Sequence, residues 1–322
     1  MSLTFTHETL PQRVVFASGQ AAERAAEEAA RLGSRPMLIG KPLIPAVLHH
    51  TDVAMHVPVV TAERAREAAA AAGVDVLVSV GGGSATGLAK AVALTTGLPI
   101  VAVPTTFAGS EATDVWGMTE NGRKTTGSDP RVLPRTVVYD AALTATLPRE
   151  MAVASGLNAL AHCVDSMWAP RADPINRALA LEGIRALRAG LPADDREQTL
   201  YGAYLAAVAF ASAGSGLHHK ICHVLGGMFG LPHAQTHAVV LPHVLALNAV
   251  AAPDGFGTAE LRRLRDAVDA PRALRDHGFR QEDIPAAVDA ILPVVPAGNP
   301  VPVTGENLRE LLQHAWSGEE PR

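Results

Sequence analysis

Aromatic residues are scarce: Phe, Trp and Tyr make up 4% of the 322 residues. That leaves little for the base-stacking platforms of single-stranded nucleic acid binders. Cysteine is scarcer still, at Cys163 and Cys222 only. Two thiols cannot staple a chain of this length, so reduced cysteines are expected. No run of about 18 uncharged apolar residues occurs, so no membrane-spanning helix is expected. Basic blocks are absent and the net charge is −5, which makes the chain a poor general binder of nucleic acid or anionic membrane. The first residues, MSLTFTHETLPQRVVF, lack the basic-then-apolar order of a secretion signal. A cytoplasmic location, without nucleic acid or membrane as partner, is the expectation. Global disorder is excluded, because apolar residues reach 48% against 18% charged.

What the chain does have is histidine. There are 13, and six fall between His218 and His243. It also has an ordered alternation of elements in its first half. Gln20 to Leu32 reads as an amphipathic helix stopped by Gly33, and Ala62 to Ala72 as a second, stopped by Gly73. Pro36 to Ile39, Val74 to Val80, Pro99 to Val103 and Val137 to Asp140 read as buried strands, with Ser84 to Thr96 helical between two of them. Crossovers of this length predict a Rossmann-like parallel sheet with helices on both faces. Asn121-Gly122, between polar and β-favouring residues, signals a hairpin. Beyond Pro148 the helix-compatible stretches are Met151 to Trp168, Asn176 to Arg188, Glu197 to Ala213, His219 to Met228, Ala238 to Ala251, Ala259 to Ala267 and Glu306 to Ala315. The expected architecture is therefore an α/β N-terminal domain over residues 1–148 and an all-α C-terminal domain over 149–322, with two-domain length to spare.

Three motifs carry chemistry. Gly81-Gly82-Gly83-Ser84 follows a buried strand and opens a helix. Glycines there let a bulky anion approach the backbone, and the helix start offers unpaired N–H groups, so the loop suits a pyrophosphate. It is neither G-x-G-x-x-G nor a Walker loop, and Gly40 and Lys41 stand where an acidic ribose ligand is usual. The second motif, Pro104-Thr105-Thr106-Phe107-Ala108-Gly109-Ser110-Glu111, follows the next strand. Read functionally, its hydroxyls and amides hold a ribose or nicotinamide; read structurally, Ser110 or Thr113 caps a helix. The third is a histidine set. Asn158 and His162 are four apart, as are His219 and His223, with His233, His237 and His243 behind. Imidazoles gathered on helix faces suit a metal or proton transfer to a polar substrate. His7, His49, His50, His56, His277 and His314 have no such neighbours in sequence and read as structural or exposed.

In this order the motifs resemble the iron-containing alcohol dehydrogenase superfamily, whose fold is like dehydroquinate synthase. Its pattern is GGGS, P-T-T-x-x-x-S-E, D-x-x-x-H, H-x-x-x-H and a P-H. The resemblance implies NAD(P) loops at Gly82, Gly83, Ser84, Thr105, Thr106, Ala108 and Ser110, with Lys124 of the hairpin facing the cofactor. It places Asn158, His162, His219 and His233 on the metal-ligand positions and His223 one turn after the second metal histidine. Asn158 replaces the metal aspartate, Gly87 replaces the aspartate of GGGSxxD, and the threonine loop is one residue short. These departures, with GLHHKICHVLGG, resemble the maleylacetate reductase branch. That branch reduces the conjugated double bond of 2-maleylacetate to give 3-oxoadipate in aromatic-compound breakdown, with NADH or NADPH, and implies a homodimer.

On this resemblance the catalytic candidates are His223, His219, Lys220, His162 and His233. His223, alone or with His219, would donate the proton. Lys220, Lys124 and protonated histidines would balance a dicarboxylate. An amide at Asn158 removes the one anionic ligand, so metal binding is expected to be weak or dispensable. Other readings remain: a metal-dependent alcohol or polyol dehydrogenase, a dehydroquinate-synthase-type lyase, and a nucleotide sensor without turnover. A sensor needs no imidazole cluster.

Overall fold

The computed structural model describes residues 4–120 and 123–321. Residues Thr9–Leu147 form one unit. Its elements are β1 (Arg13–Phe16), α1 (Ala21–Ala30), β2 (Pro36–Gly40), β3 (Leu48–His50), α2 (Val59–Ala71), β4 (Val76–Gly81), α3 (Gly83–Thr96), β5 (Ile100–Pro104), β6 (Val115–Glu120), β7 (Arg123–Ser128) and β8 (Thr136–Tyr139). Six strands make a sheet in the order β1-β8-β5-β4-β2-β3, and every pair in it is parallel.

Strand periodicity divides the core between the two faces. Met37, Ile39, Leu77 and Ile100 face α2 and α3 with Leu88 and Val92. Their neighbours Leu38, Val76, Val78, Val80, Val101 and Val103 face the opposite way, onto Ala21, Ala25 and Ala29 of α1. Both faces are thus covered, which is why β4 and β5 read as unbroken apolar runs.

Two strands had no counterpart in the sequence reading. β1 and β3 sit at the two ends of the sheet and are only partly buried. With one neighbour each, they need no apolar run to be held. β6 and β7 pair antiparallel; the turn expected at Asn121-Gly122 lies outside the described residues.

The other unit runs from Pro148 onward. It contains α4 (Arg149–Ser166), α5 (Pro174–Ala193), α6 (Arg196–Ala213), α7 (Leu217–Phe229), α8 (His233–Leu247), α9 (Thr258–Ala267), α10 (Ile284–Ile291) and α11 (Gly305–Ser317). Caps start several of them: the Asp173 carboxylate accepts from the Ile175 and Asn176 amides, and Asp195 from those of Glu197 and Gln198. α4 is buried on all sides from Gly156 to Ser166, which marks it as the central helix of this unit.

Three expectations need correction. Residues 4–8 belong with the helices, not with the sheet: His7 Nδ1 lies 2.8 Å from Asp173 Oδ2, and Ser212 Oγ donates to Glu8 O at 2.7 Å. α8 begins at His233, five residues before the expected start, because Pro232 supplies its N-cap position. α10 lies outside the stretches expected to be helical; it is short and has no side-chain cap to signal it. Among the described residues no single helix is long and apolar enough to cross a membrane.

Candidate active site

In the α/β unit the two loops meet. Gly81 and Pro104 are partners in the β4–β5 register, so both loops leave the sheet at the same level. The Thr105 amide donates to the Gly81 carbonyl at 3.0 Å. A Cβ at Gly82 would stand 3.0 Å from Thr106 Cγ2, whereas one at Gly83 would meet nothing within 4 Å. The loop is therefore closed on the Thr106 side and open at Gly83. α3 starts at Gly83 without any side chain capping its first amides. An open approach to uncapped helix-start amides is what a pyrophosphate needs. The residues present fit the diphosphate of a dinucleotide: Gly82, Gly83 and Ser84 would hold it, and Thr105, Thr106, Ala108 and Ser110 belong to the loop that would hold the rest of the cofactor.

The capping role considered for Ser110 is not observed. Ser110 to Ala112 is a single 3-10 turn with Gly109 at its N-cap position and no side-chain cap. What holds this loop is Lys90, which the sequence reading missed. Lys90 is buried in α3, and its Nζ donates to the carbonyls of Ser110, Thr113 and Val115 at 2.6–2.8 Å. Burial pushes its ammonium down to about 7, against the pull of Glu111 and Asp114. The signal was there: one lysine on the Ala/Val face of α3, with no acidic partner a turn away. The Lys124 side chain lies outside the described residues.

In the helical unit the histidines gather. His162 of α4 stacks on His219 of α7 with ring centroids 4.8 Å apart, and Phe210 of α6 lies 4.7 and 4.2 Å from the two. His223 stands one turn beyond His219, its ring 6.1 Å away. His237 lies 4.8 Å from His219 and 4.3 Å from His233. The expected His162, His219, His223 and His233 thus share one cluster, with Asn158 a turn before His162 on α4. His223 and His233 are exposed, Lys220 is half-buried, and Asn158, His162 and His219 are buried. His243 is not part of it; it lines a separate cavity with Asn307 and His314.

For two of these histidines the expectation of a protonated ring needs correction. Burial, reinforced by the neighbouring imidazoles, pushes His162 and His219 well below the ordinary histidine range. At neutral pH both are uncharged. Both cysteines are free and buried.

Donor chemistry decides how well a metal fits. Asn158 Oδ1, His162 Nδ1 and His219 Nε2 are buried without a hydrogen-bond partner. All are neutral. The buried carboxylate of the cluster, Asp165, already accepts from four N–H groups, the Gly216, His218 and His219 amides and Trp168 Nε1, and its Oδ2 lies 2.8 Å from His219 Nδ1. Three neutral imidazoles can hold a catalytic zinc, so these donors are compatible with a divalent ion, although the set lacks an anionic member. Among the described residues, one trio of potential donors lies within 4.8 Å: His218, Cys222 and His237. There His218 Nε2 and His237 Nδ1 are 2.8 Å apart. That is a hydrogen bond, shorter than the roughly 3.3 Å between nitrogens sharing one tetrahedral zinc at about 2.0 Å.

Comparison with known proteins agrees with this layout. Residues 11–141 match the iron-containing alcohol dehydrogenase family, and residues 152–262 match the C-terminal region of the same family. The chain is 40% identical to the maleylacetate reductase of Sphingobium indicum, over 99% of each chain. It is 55% identical to an iron-containing alcohol dehydrogenase from Corynebacterium glutamicum, whose crystal structure superposes with a TM-score of 0.96 over 100% of this chain and 99% of that one. The maleylacetate reductase of Rhizobium sp. strain MTP-10005 is 40% identical, with a TM-score of 0.92 over 99% of both chains. On these matches and the loop and histidine pattern above, the chain belongs to the iron-containing alcohol dehydrogenase family, in its maleylacetate reductase branch.

Proposed function

We propose that this chain reduces the conjugated carbon–carbon double bond of 2-maleylacetate to 3-oxoadipate, with NADH or NADPH as reductant, in the breakdown of aromatic compounds. The observation that carries the reading is the 40% identity to a maleylacetate reductase over 99% of each chain, together with a histidine cluster whose buried carboxylate, Asp165, is engaged by amides and an indole. The dinucleotide, when bound on Gly82, Gly83 and Ser84, supplies a hydride.

The substrate makes an activating metal unnecessary. Its double bond is conjugated with a ketone, so hydride addition at the conjugate carbon moves the electron pair onto an enolate oxygen. Hydrogen-bond donors suffice to hold that charge. Lys220 balances a substrate carboxylate as the cationic group of the cluster. His223, exposed on α7, delivers a proton to the α-carbon, directly or through water, and completes the saturated product. His162 and His219, neutral and stacked, shape the wall with Phe210. His233 stands at the start of α8, beside His237.

Chelation tests the metal statement. Enzyme purified without chelator and then held in EDTA is expected to keep its full rate with maleylacetate, and elemental analysis to find metal well below one per chain. Stoichiometric metal with activity abolished by EDTA points instead to the second reading, a metal-dependent alcohol or polyol dehydrogenase. The three unpartnered atoms on Asn158, His162 and His219 favour that alternative. A panel of simple alcohols with NAD⁺ distinguishes the two.

Cofactor preference follows from the end of β2. Gly40 has φ +101°, and a Cβ there would lie 2.3 Å from the Val80 carbonyl oxygen. No acidic side chain can start at this position, and the next residue is the exposed Lys41. Nothing there repels a 2′-phosphate. The ratio of kcat/KM for NADH and NADPH is expected to stay within about tenfold, or about 1.4 kcal/mol. A hundredfold preference for NADH contradicts this account of Gly40 and Lys41.

A further inference from the structure

Asp165 was not among the residues the sequence singled out. It stands on α4 one turn after His162 and is fully buried. Its Oδ2 lies 2.8 Å from His219 Nδ1 and 2.8 Å from the Gly216 amide. Its Oδ1 accepts from Trp168 Nε1 at 3.0 Å and from the His218 amide at 3.2 Å. The three amides and the indole can only donate. Partners of that fixed polarity leave the carboxyl the role of acceptor, although burial alone pushes it toward the protonated form. An acceptor facing His219 Nδ1 requires a proton on Nδ1. A neutral imidazole with its proton there has a bare lone pair on Nε2, and that atom is buried without a partner.

We infer that Asp165 is a positioning residue for the reaction: it locks His219 in the Nδ1–H tautomer and so leaves the unpartnered Nε2 as a hydrogen-bond acceptor, never as a proton donor. The same contacts tie the first amides of α7 to α4, which sets the height of His219, Lys220 and His223 along α7. Gly216 belongs to this arrangement, because a Cβ there would lie 2.3 Å from Asp165 Oδ1. The inference rests on the reading of the histidine cluster as catalytic. It sharpens that reading by removing His219 from the proton donors and leaving the task to His223.

The test uses full-length protein labelled with ¹⁵N in histidine only. Long-range ¹H–¹⁵N correlation reports the tautomer of each neutral ring, and the His219 signals are those lost in His219→Gln. The wild-type protein is expected to show Nδ1–H at His219; an Nε2–H ring there overturns the proposal without any further variant. In Asp165→Asn the new amide N–H donates to the ring, and the tautomer is expected to switch to Nε2–H. kcat then falls by about 10²–10⁴, as when a buried carboxylate stops orienting an active-site imidazole. NADH affinity should stay within about twofold, since the dinucleotide loops belong to the other unit; a purely structural defect would lower folded fraction and rate together. A switched tautomer with wild-type kcat overturns the positioning role. If the tautomer is Nδ1–H and switches as stated, but no variant or wild-type sample turns over maleylacetate, the positioning stands and the substrate assignment falls.

Discussion

His223→Ala is expected to lower kcat for NADH-linked reduction of maleylacetate by about 10²–10⁴, the range for lost general acid catalysis. That corresponds to about 3–5 kcal/mol of transition-state free energy. The argument runs through its neighbours. Hydride transfer leaves an enolate whose α-carbon must take up a proton. His162 and His219 are buried and uncharged, and the one ring proton of His219 points at Asp165. His223 lies one turn further along α7, exposed, and can exchange its proton with water after each turnover. Steady-state kinetics decide it, because KM for NADH should not move while kcat drops. A kcat within a few-fold of wild type removes His223 from this role and passes it to His233, the other exposed imidazole of the cluster.

Gly83→Asp is expected to weaken NADH binding by about two orders of magnitude with little loss of stability. A side chain at Gly83 meets no atom within 4 Å, so the variant should fold. The aspartate then places a negative charge beside the helix start where the pyrophosphate is expected to lie. Like charges set against each other at a binding surface cost several kcal/mol, and about 3 kcal/mol is about a hundredfold in Kd. Titration of NADH fluorescence gives the Kd, and the melting temperature monitors the fold. Unchanged affinity in a folded protein would mean that the diphosphate lies elsewhere, and the reading of the GGGS loop would be wrong.

Much of this site was legible before any coordinates. Gly81 to Ser84 follows β4, and Pro104 to Glu111 follows β5, where the apolar runs stopped. The four-residue spacings of Asn158 with His162, and of His219 with His223, put each pair on one helix face, because helix geometry is local. The hairpin and the helical second half were equally plain. Less visible were β1, β3 and α10, which are short, at an edge or uncapped, and owe their form to what they pack against.

Chain chemistry alone determined which groups are available: glycines for an anion, an amide at Asn158, and imidazoles in abundance. Only tertiary structure decided how those groups behave. Asp165 meets His219 across 53 intervening positions, Lys90 of α3 anchors the threonine loop through its carbonyls, and residues 4–8 pack among helices rather than strands. Spacing along a chain sets faces within one element. Charge state and proton position depend on burial and on partners brought in from other elements, so they exist only once the fold is made.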